Sequence, residues 1–363
     1  MEQIAKLKGY KPIVYLGNKI VLYKSNNIYT ASLNLKKINF ICSIRKLNIK
    51  DRIISKSRLA QRIFRTDAGI GINLSNSNSF LFSYKGKMYY VDIEKKNIRE
   101  ETVGFKFKKT LQMCNVSFGK YKGSIVFGDY ENNKDLGSVF IYRRDHKGTY
   151  SKIFTFPKGT IKHIHGIFED LQNSCFYVLT GDYGNAASIW KVDSAFKNPE
   201  VFLRCGQLSR ACWIKIYRDS LIYATDSDLQ TNYLLQIDKA PNAKPKKLFP
   251  ISGSSIYYSS AHKNIIFSTS VESDTSFTNS RLALLLSRKR GDGIISDRSC
   301  LYMGTLDNGF ELIFSGKKDN LPYGLFQFGN IIFPTGTLLN QEYLHFYCTS
   351  LTGKDGYAYA YKI

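Results

Sequence analysis

A three-strand pattern that returns about every 44 residues limits what this chain can fold into more than any other feature. The run from His163 (HIHGIFEDLQNSCFYVLTGDYGNAASIWKVD) and the run from Ala211 (ACWIKIYRDSLIYATDSDLQTNYLLQID) share one layout. An apolar strand is followed by a polar turn, a second strand ending in an acidic residue, a loop, and a third strand ending in Asp. Asp182 and Asp226 are 44 residues apart, Asp193 and Asp238 are 45 apart, and Ser270 lies another 44 beyond Asp226 with Glu272 close by. VSFGKYKGSIVFGDYENN repeats the pattern upstream at Asp129. A period of about 40–50 residues built from short strands is the spacing of propeller blades.

Units begin near residues 12, 71, 111, 161, 209, 254 and 322. The predicted fold is therefore all-β, a single β-propeller over residues 1–363. It has seven blades, with six as the alternative because the first and sixth units are irregular. The composition agrees: 43% hydrophobic residues, with 25 Tyr and 24 Phe, exclude a disordered chain. Alternating strands rich in Tyr, Phe and Ile suit sheets buried on both faces, which radial packing of blades provides.

One segment departs from the strand pattern. IKDRIISKSRLAQRIFR (49–65) has helical period, placing Ile53, Ala60, Ile63 and Phe64 on one side and Arg58, Arg62 and Arg65 on the other. A short basic amphipathic helix inserted between blades is expected. Its apolar side either covers the propeller, the favoured placement, or lies on an anionic membrane. Its arginines are the candidate membrane or phosphate contacts.

The chain holds 52 Lys+Arg against 29 Asp+Glu, a net charge of +23, of which +13 falls in residues 1–65. Such asymmetry fits an anionic partner on one side, although excess Lys also serves solubility. The N-terminus has no apolar signal segment, and no apolar run nears the ~18 residues of a membrane span. Cys42, Cys114, Cys175, Cys205, Cys212, Cys300 and Cys348 form no CxxC pair, so neither a zinc ribbon nor a thioredoxin motif is supported. The expected location is the cytoplasm, with peripheral contact at the inner membrane surface. Dinucleotide, P-loop, nucleophile-elbow and zincin motifs are absent from the sequence. Aromatic strands also occur in RNA-binding proteins, but β-cores use them equally, and no nucleic-acid partner is expected.

Propeller geometry predicts where chemistry gathers. The start of each first strand and the end of each second strand lie on the same face, and here those positions are polar. The predicted rim carries His163, His165 and Asp182 as acid–base candidates. Arg210, Trp213, Tyr183, Asn185, Asp226, Asp228, Asn232 and Glu272 are candidate substrate contacts. The Lys-His-Ile-His-Gly run points two imidazoles to one side of a strand, which suits a proton relay, a metal pair or recognition of sugar hydroxyls. No further spaced ligand cluster is visible, so neither a metal nor a cofactor is expected. Acids repeated at strand ends also form turns, and about half of them are expected to do only that.

The runs HIHGIFED, FYVLTGDYGN, SRACWIKIYRDSLIYATDSD, NYLLQID and FSTSVESD resemble sialidase-like, BNR-type propeller proteins associated with surface-polysaccharide genes. RRDHKGTYS (143–151) keeps the Asp, Gly, Thr and aromatic residue of the Asp-box SxDxGxTW out of register, and SRKRGDG (287–293) is more remote. The resemblance implies a propeller and glycan handling, not sialidase activity as such. The resulting expectation is a glycosyltransferase of cell-surface polysaccharide assembly, using a nucleotide-sugar donor and a lipid-linked glycan acceptor. In it His163, His165 or Asp182 deprotonates the attacking hydroxyl, Arg210 stabilises phosphate charge, and Trp213 stacks on a sugar. A glycan hydrolase or lyase, and a non-catalytic glycan- or protein-binding propeller, are the alternatives.

Overall fold

The computed structural model describes residues 1–44, 49–67, 69–74, 78–107, 109–274, 280–336 and 342–363. Seven four-stranded antiparallel sheets form a seven-bladed propeller. Blades 1 to 6 occupy residues 11–43, 70–101, 113–156, 163–203, 211–251 and 254–317, close to the predicted starts. Blade 7 combines residues 330–362 with the N-terminal strand Glu2–Lys8, which pairs with Tyr357–Lys362 as the outermost strand. The six-blade alternative is excluded. The two irregular units are regular blades interrupted by long connections: 44–69 leads from blade 1 to blade 2, and 271–297 joins the second and third strands of blade 6.

Alternation of side chains sends one face of each strand toward each neighbouring blade. Apolar clusters therefore sit between blades: Ile13, Val21, Phe80 and Phe82 between blades 1 and 2, and Tyr177, Leu179, Ile214 and Tyr223 between blades 4 and 5. The first strand carries a register irregularity near its start in blades 1, 4, 5 and 6. Such a bulge bends a strand and re-aims its side chains.

Two long connections and the link between blades 6 and 7 build a helical cap on one face. Its members are α1 (Ile49–Lys56), α2 (Arg58–Ile63), α3 (Arg281–Leu286) and α4 (Tyr323–Phe326). Helix α2 packs on α4, and α4 packs on α3. The expected single helix is thus two, divided at Ser57, whose hydroxyl accepts the Ala60 N–H at 3.3 Å and caps α2.

The cap is also turned the other way from the favoured expectation. Ile53, Ile63 and Phe64 are 65%, 40% and 48% exposed, whereas Arg62 is 2% exposed. Arg62 donates to Asp319 Oδ2 at 2.6 Å and to the Phe326 carbonyl, and Arg58 grips Asp355 through two nitrogens while reaching Asp67 at 2.8 Å. A guanidinium matched to carboxylates and carbonyls can be buried, and removing its partners would leave a costly unpaired charge. Arg58 and Arg62 therefore dock the cap and are not surface contacts; Arg65 alone of the three is exposed.

His345 ties blade 7 to blade 1. Its Nε2 donates to the Leu33 carbonyl at 2.6 Å, so its Nδ1 accepts from the Tyr15 hydroxyl at 3.0 Å. Burial lowers its pKa from 6.5 to about 4, against the pull of the Leu33 carbonyl. The unfolded chain takes up this proton below pH 6.5 while the folded chain resists it until about pH 4. Stability from this residue is thus full above pH 6.5 and falls as pH drops toward 4, by about 3 kcal/mol in all. Urea denaturation at pH 7 and pH 4.5 should show that difference shrinking in His345→Asn relative to wild type.

Candidate functional site

Blades 4, 5 and 6 bring a buried polar cluster to the mouth of the axial channel, on the face that carries the helical cap. His163 and His165 come from the first strand of blade 4 (His163–Asp170), and Asp182 follows its second strand (Cys175–Gly181). Antiparallel pairing sets His163 opposite Gly181, which delivers Asp182 to the imidazoles. His165, two residues on along the same strand, projects to the same side as His163, next to a register shift between Ile164 and Gly166. His163 Nε2 lies 3.0 Å from His165 Nε2 and 3.1 Å from Asp182 Oδ1; His165 Nε2 lies 3.3 Å from the same oxygen. Each Nδ1 faces a backbone carbonyl, Glu131 O at 2.9 Å for His163 and Ala211 O at 2.8 Å for His165. Lys162 binds the other carboxylate oxygen of Asp182 at 2.7 Å.

Gly181 makes this convergence sterically possible. A Cβ built there would collide with the His165 ring.

Arg210, just before the first strand of blade 5, stands among carboxylates. Its nitrogens lie 2.8 Å from Asp228, 3.5 Å from Asp226 and 3.6 Å from Asp182. Although burial works against its charge, Asp226, Asp182 and Asp228 hold its pKa well above the ordinary value. Burial would raise Asp182, but its contacts with His163 and His165 and the Arg210 charge hold it well below the carboxylate range. Burial pushes Asp226 up, and burial with the Asp226 charge pushes Glu272 well up. Cys212 donates to Asp226 Oδ2 at 3.3 Å, and burial raises its thiol.

The cluster runs from an exposed lip to a closed floor. Tyr183 is 39% exposed, donates to Asp228 at 2.9 Å, and lies with its ring between the Lys162 and Arg210 cations, 5.4 and 5.1 Å from its centroid. Asn185 is exposed beside it, in the turn Gly184–Ala186. His165, Cys212, Asp226 and Glu272 form the buried floor. Tyr130 from blade 3 leans on His163 with ring centroids 4.6 Å apart.

Two expected substrate contacts do not reach this space. Trp213 is fully buried, stacked on Tyr258 at 4.9 Å, with its indole N–H donated to Ser255. Asn232 is equally buried; its carboxamide accepts from Thr225 and Ser227 N and donates to Ser227 O and Gly293 O, which fixes the loop holding Asp226 and Asp228. Both are scaffold. Asp129 and Asp193 are structural: Asp129 bridges to the neighbouring strand by accepting from Phe140 N and Tyr142, and Asp193 forms a turn by accepting from Ala195 N and Lys197 N. Tyr130 and Cys212 are the cluster members that sequence reasoning missed. Tyr130 directly follows Asp129 at a second-strand end, a position whose pattern could have identified it. Among the described residues, two groupings have ligand-type atoms close enough to share a metal ion: His163, His165 and Asp182, and His165, Cys212 and Asp226.

No protein-family model matches the chain, and no curated protein matches it in sequence. Solved structures that are similar in fold include the following two. The AfRom2 CNH domain has a TM-score of 0.54 at 8% identity, covering 100% of this chain and 96% of that one. A chain in the Mitotic Checkpoint Complex has a TM-score of 0.52 at 8% identity, covering 99% and 94%. At such identity the likeness concerns the propeller alone.

Gly181→Ala should displace the His165 ring and cost about 1–3 kcal/mol of stability. Long-range proton–nitrogen NMR should show shifted His163 and His165 imidazole signals with His345 unchanged.

Proposed function

We propose that this chain is a carbohydrate-active propeller, a glycosyltransferase of surface-polysaccharide assembly, that works face-down on an anionic membrane. The observation that carries this reading is that the polar mouth and the outward apolar cap share one face. Ile49, Ile53, Leu59 and Phe64 on and beside α1 and α2, and Leu282, Leu285 and Leu286 on α3, are all exposed. Interleaved with them are the exposed cations Lys50, Arg52, Lys56, Arg65, Arg281, Arg288 and Arg290. Short helices with apolar side chains outward and cations around them suit insertion at an anionic headgroup boundary. The charge complementarity commits the face to a bilayer and not to a second copy of this cationic chain. All seven cysteines are free thiols, which supports the cytoplasmic leaflet.

A substrate held at that leaflet through a lipid pyrophosphate meets the mouth directly. In this reading the acceptor hydroxyl oxygen attacks the anomeric carbon of the donor sugar. The bond from that carbon to the diphosphate oxygen breaks, its electron pair leaves on the diphosphate, and the hydroxyl proton passes to the His163–His165–Asp182 group. Lys162 and Arg210 flank the site where diphosphate charge grows, and Tyr183 offers the half-exposed ring against which a sugar packs.

Incubation with nucleotide-sugar donors and lipid-linked acceptors on anionic vesicles should give transfer that falls at least 100-fold in Asp182→Asn. Absence of transfer by wild type overturns the reading; an unsaturated, ultraviolet-absorbing product would instead mark a lyase. Vesicle sedimentation gives the second check. Phe64→Glu and Leu285→Glu should each weaken binding to anionic vesicles about tenfold, and added salt should weaken it in wild type.

A further inference from the structure

We propose that His163 Nε2, His165 Nε2 and a carboxylate oxygen of Asp182 together bind a divalent transition-metal ion of the zinc class. Hydrogen bonding to the backbone forces the first step. A carbonyl only accepts, so the contacts to Glu131 O and Ala211 O place a proton on each Nδ1. Each neutral imidazole then presents a lone pair at Nε2. Those two lone pairs and Asp182 Oδ1 face one another across edges of 3.0, 3.1 and 3.3 Å. Three acceptors at such distances repel unless something positive lies among them. A single shared proton lies along one edge and leaves another edge lone pair to lone pair. One cation satisfies all three.

The dimensions suit a metal. At metal–ligand distances of about 2.1 Å, two ligand atoms are about 3.0 Å apart at a right angle and about 3.4 Å apart at the tetrahedral angle. The three edges span that interval. Two imidazoles with one carboxylate form a donor set for zinc, iron, manganese or cobalt more than for calcium or magnesium. The surroundings match as well: each ligating imidazole donates its other N–H to a carbonyl, and the second Asp182 oxygen is held by Lys162. The clearance at Gly181 keeps the His165 ring in place. Lys162 and Arg210 draw on the same carboxylate, so binding is weaker than at a closed structural zinc site. The His165–Cys212–Asp226 grouping is less suited, because the His165 nitrogen on that side is committed to Ala211 O.

Three protein ligands leave coordination open, and the exposed lip at Tyr183 gives water or a substrate oxygen access to it. This is the pattern of a reactive site and not of a structural one. A metal there lowers the pKa of a bound acceptor hydroxyl: with the ion in place the two imidazoles hold it and the hydroxyl proton passes to water, whereas the metal-free group takes that proton directly.

Binding can be read without any sugar substrate, so its result is separate from that of the transfer assay. Chelator-treated full-length protein is titrated with Zn²⁺ by calorimetry and with Co²⁺ by visible absorption. One equivalent per chain is expected. The cobalt bands should belong to nitrogen and oxygen ligands, without the near-ultraviolet band of a thiolate. His163→Ala and Asp182→Asn should each lose at least tenfold in affinity, while His345→Asn binds like wild type. The wild-type cobalt spectrum decides the matter even if a variant misfolds. No stoichiometric binding by wild type, a thiolate band, or unchanged binding in folded His163→Ala overturns the proposal.

Discussion

A ring of sheets must close on itself, and every other feature of this protein depends on how that closure is made. Each blade buries its faces only against two neighbours, so the first and last blades are incomplete until they meet. The chain solves this by giving its N-terminal strand to the last blade, with Lys6 opposite Tyr359 and Lys8 opposite Tyr357. His345, Tyr15 and the Leu33 carbonyl then join the last blade to the first through buried hydrogen bonds. Once the ring is closed, first strands from sequence-distant blades share one axis. Residues as far apart as His163 and Glu272 become parts of one electrostatic system only through this geometry.

That system is governed by burial. Arg210 is held among Asp182, Asp226 and Asp228, and a lone charge at such depth would be unstable. The carboxylates respond unequally. Asp182, touched by two imidazoles and reached by Lys162, stays anionic, whereas burial lifts Asp226 and Glu272 toward their protonated forms. Charge is therefore concentrated at the lip and diminished toward the floor. A polar ligand entering from the cap face would meet Lys162, Tyr183 and Asp182 before anything deeper.

Much of the fold was legible in the sequence, because strand alternation and turn residues are local signals. Blade starts at 11, 163, 211 and 254 fall within two residues of those read from the 44-residue period. The N-terminal strand was not legible, since its partner lies about 350 residues away and no local pattern encodes that pairing. Rim residues were readable as a set, but their roles were not. Trp213 looked like a stacking platform, yet its neighbours Tyr258 and Phe267 enclose it. The shared side of the two imidazoles was readable from their spacing, but Asp182 meeting them depends on strand register, which spacing along the chain does not show. Periodicity found two sides of the 49–65 segment but not which side faces in. Hydrophobic residues face the core as a rule, and here buried guanidinium–carboxylate pairing overrode it.

Arg62 gives the cap a mechanical role. The segment carrying it leaves blade 1 and enters blade 2, yet its guanidinium is anchored to Asp319 and the Phe326 carbonyl in the link between blades 6 and 7. Arg58 adds a clasp onto Asp355, within blade 7 itself. The cap thus straddles the seam where the two ends of the ring meet, like a strap across a joint. Any surface that presses on or pulls at these helices transmits its force to that seam, so engagement of the cap and cohesion of the ring are mechanically one event.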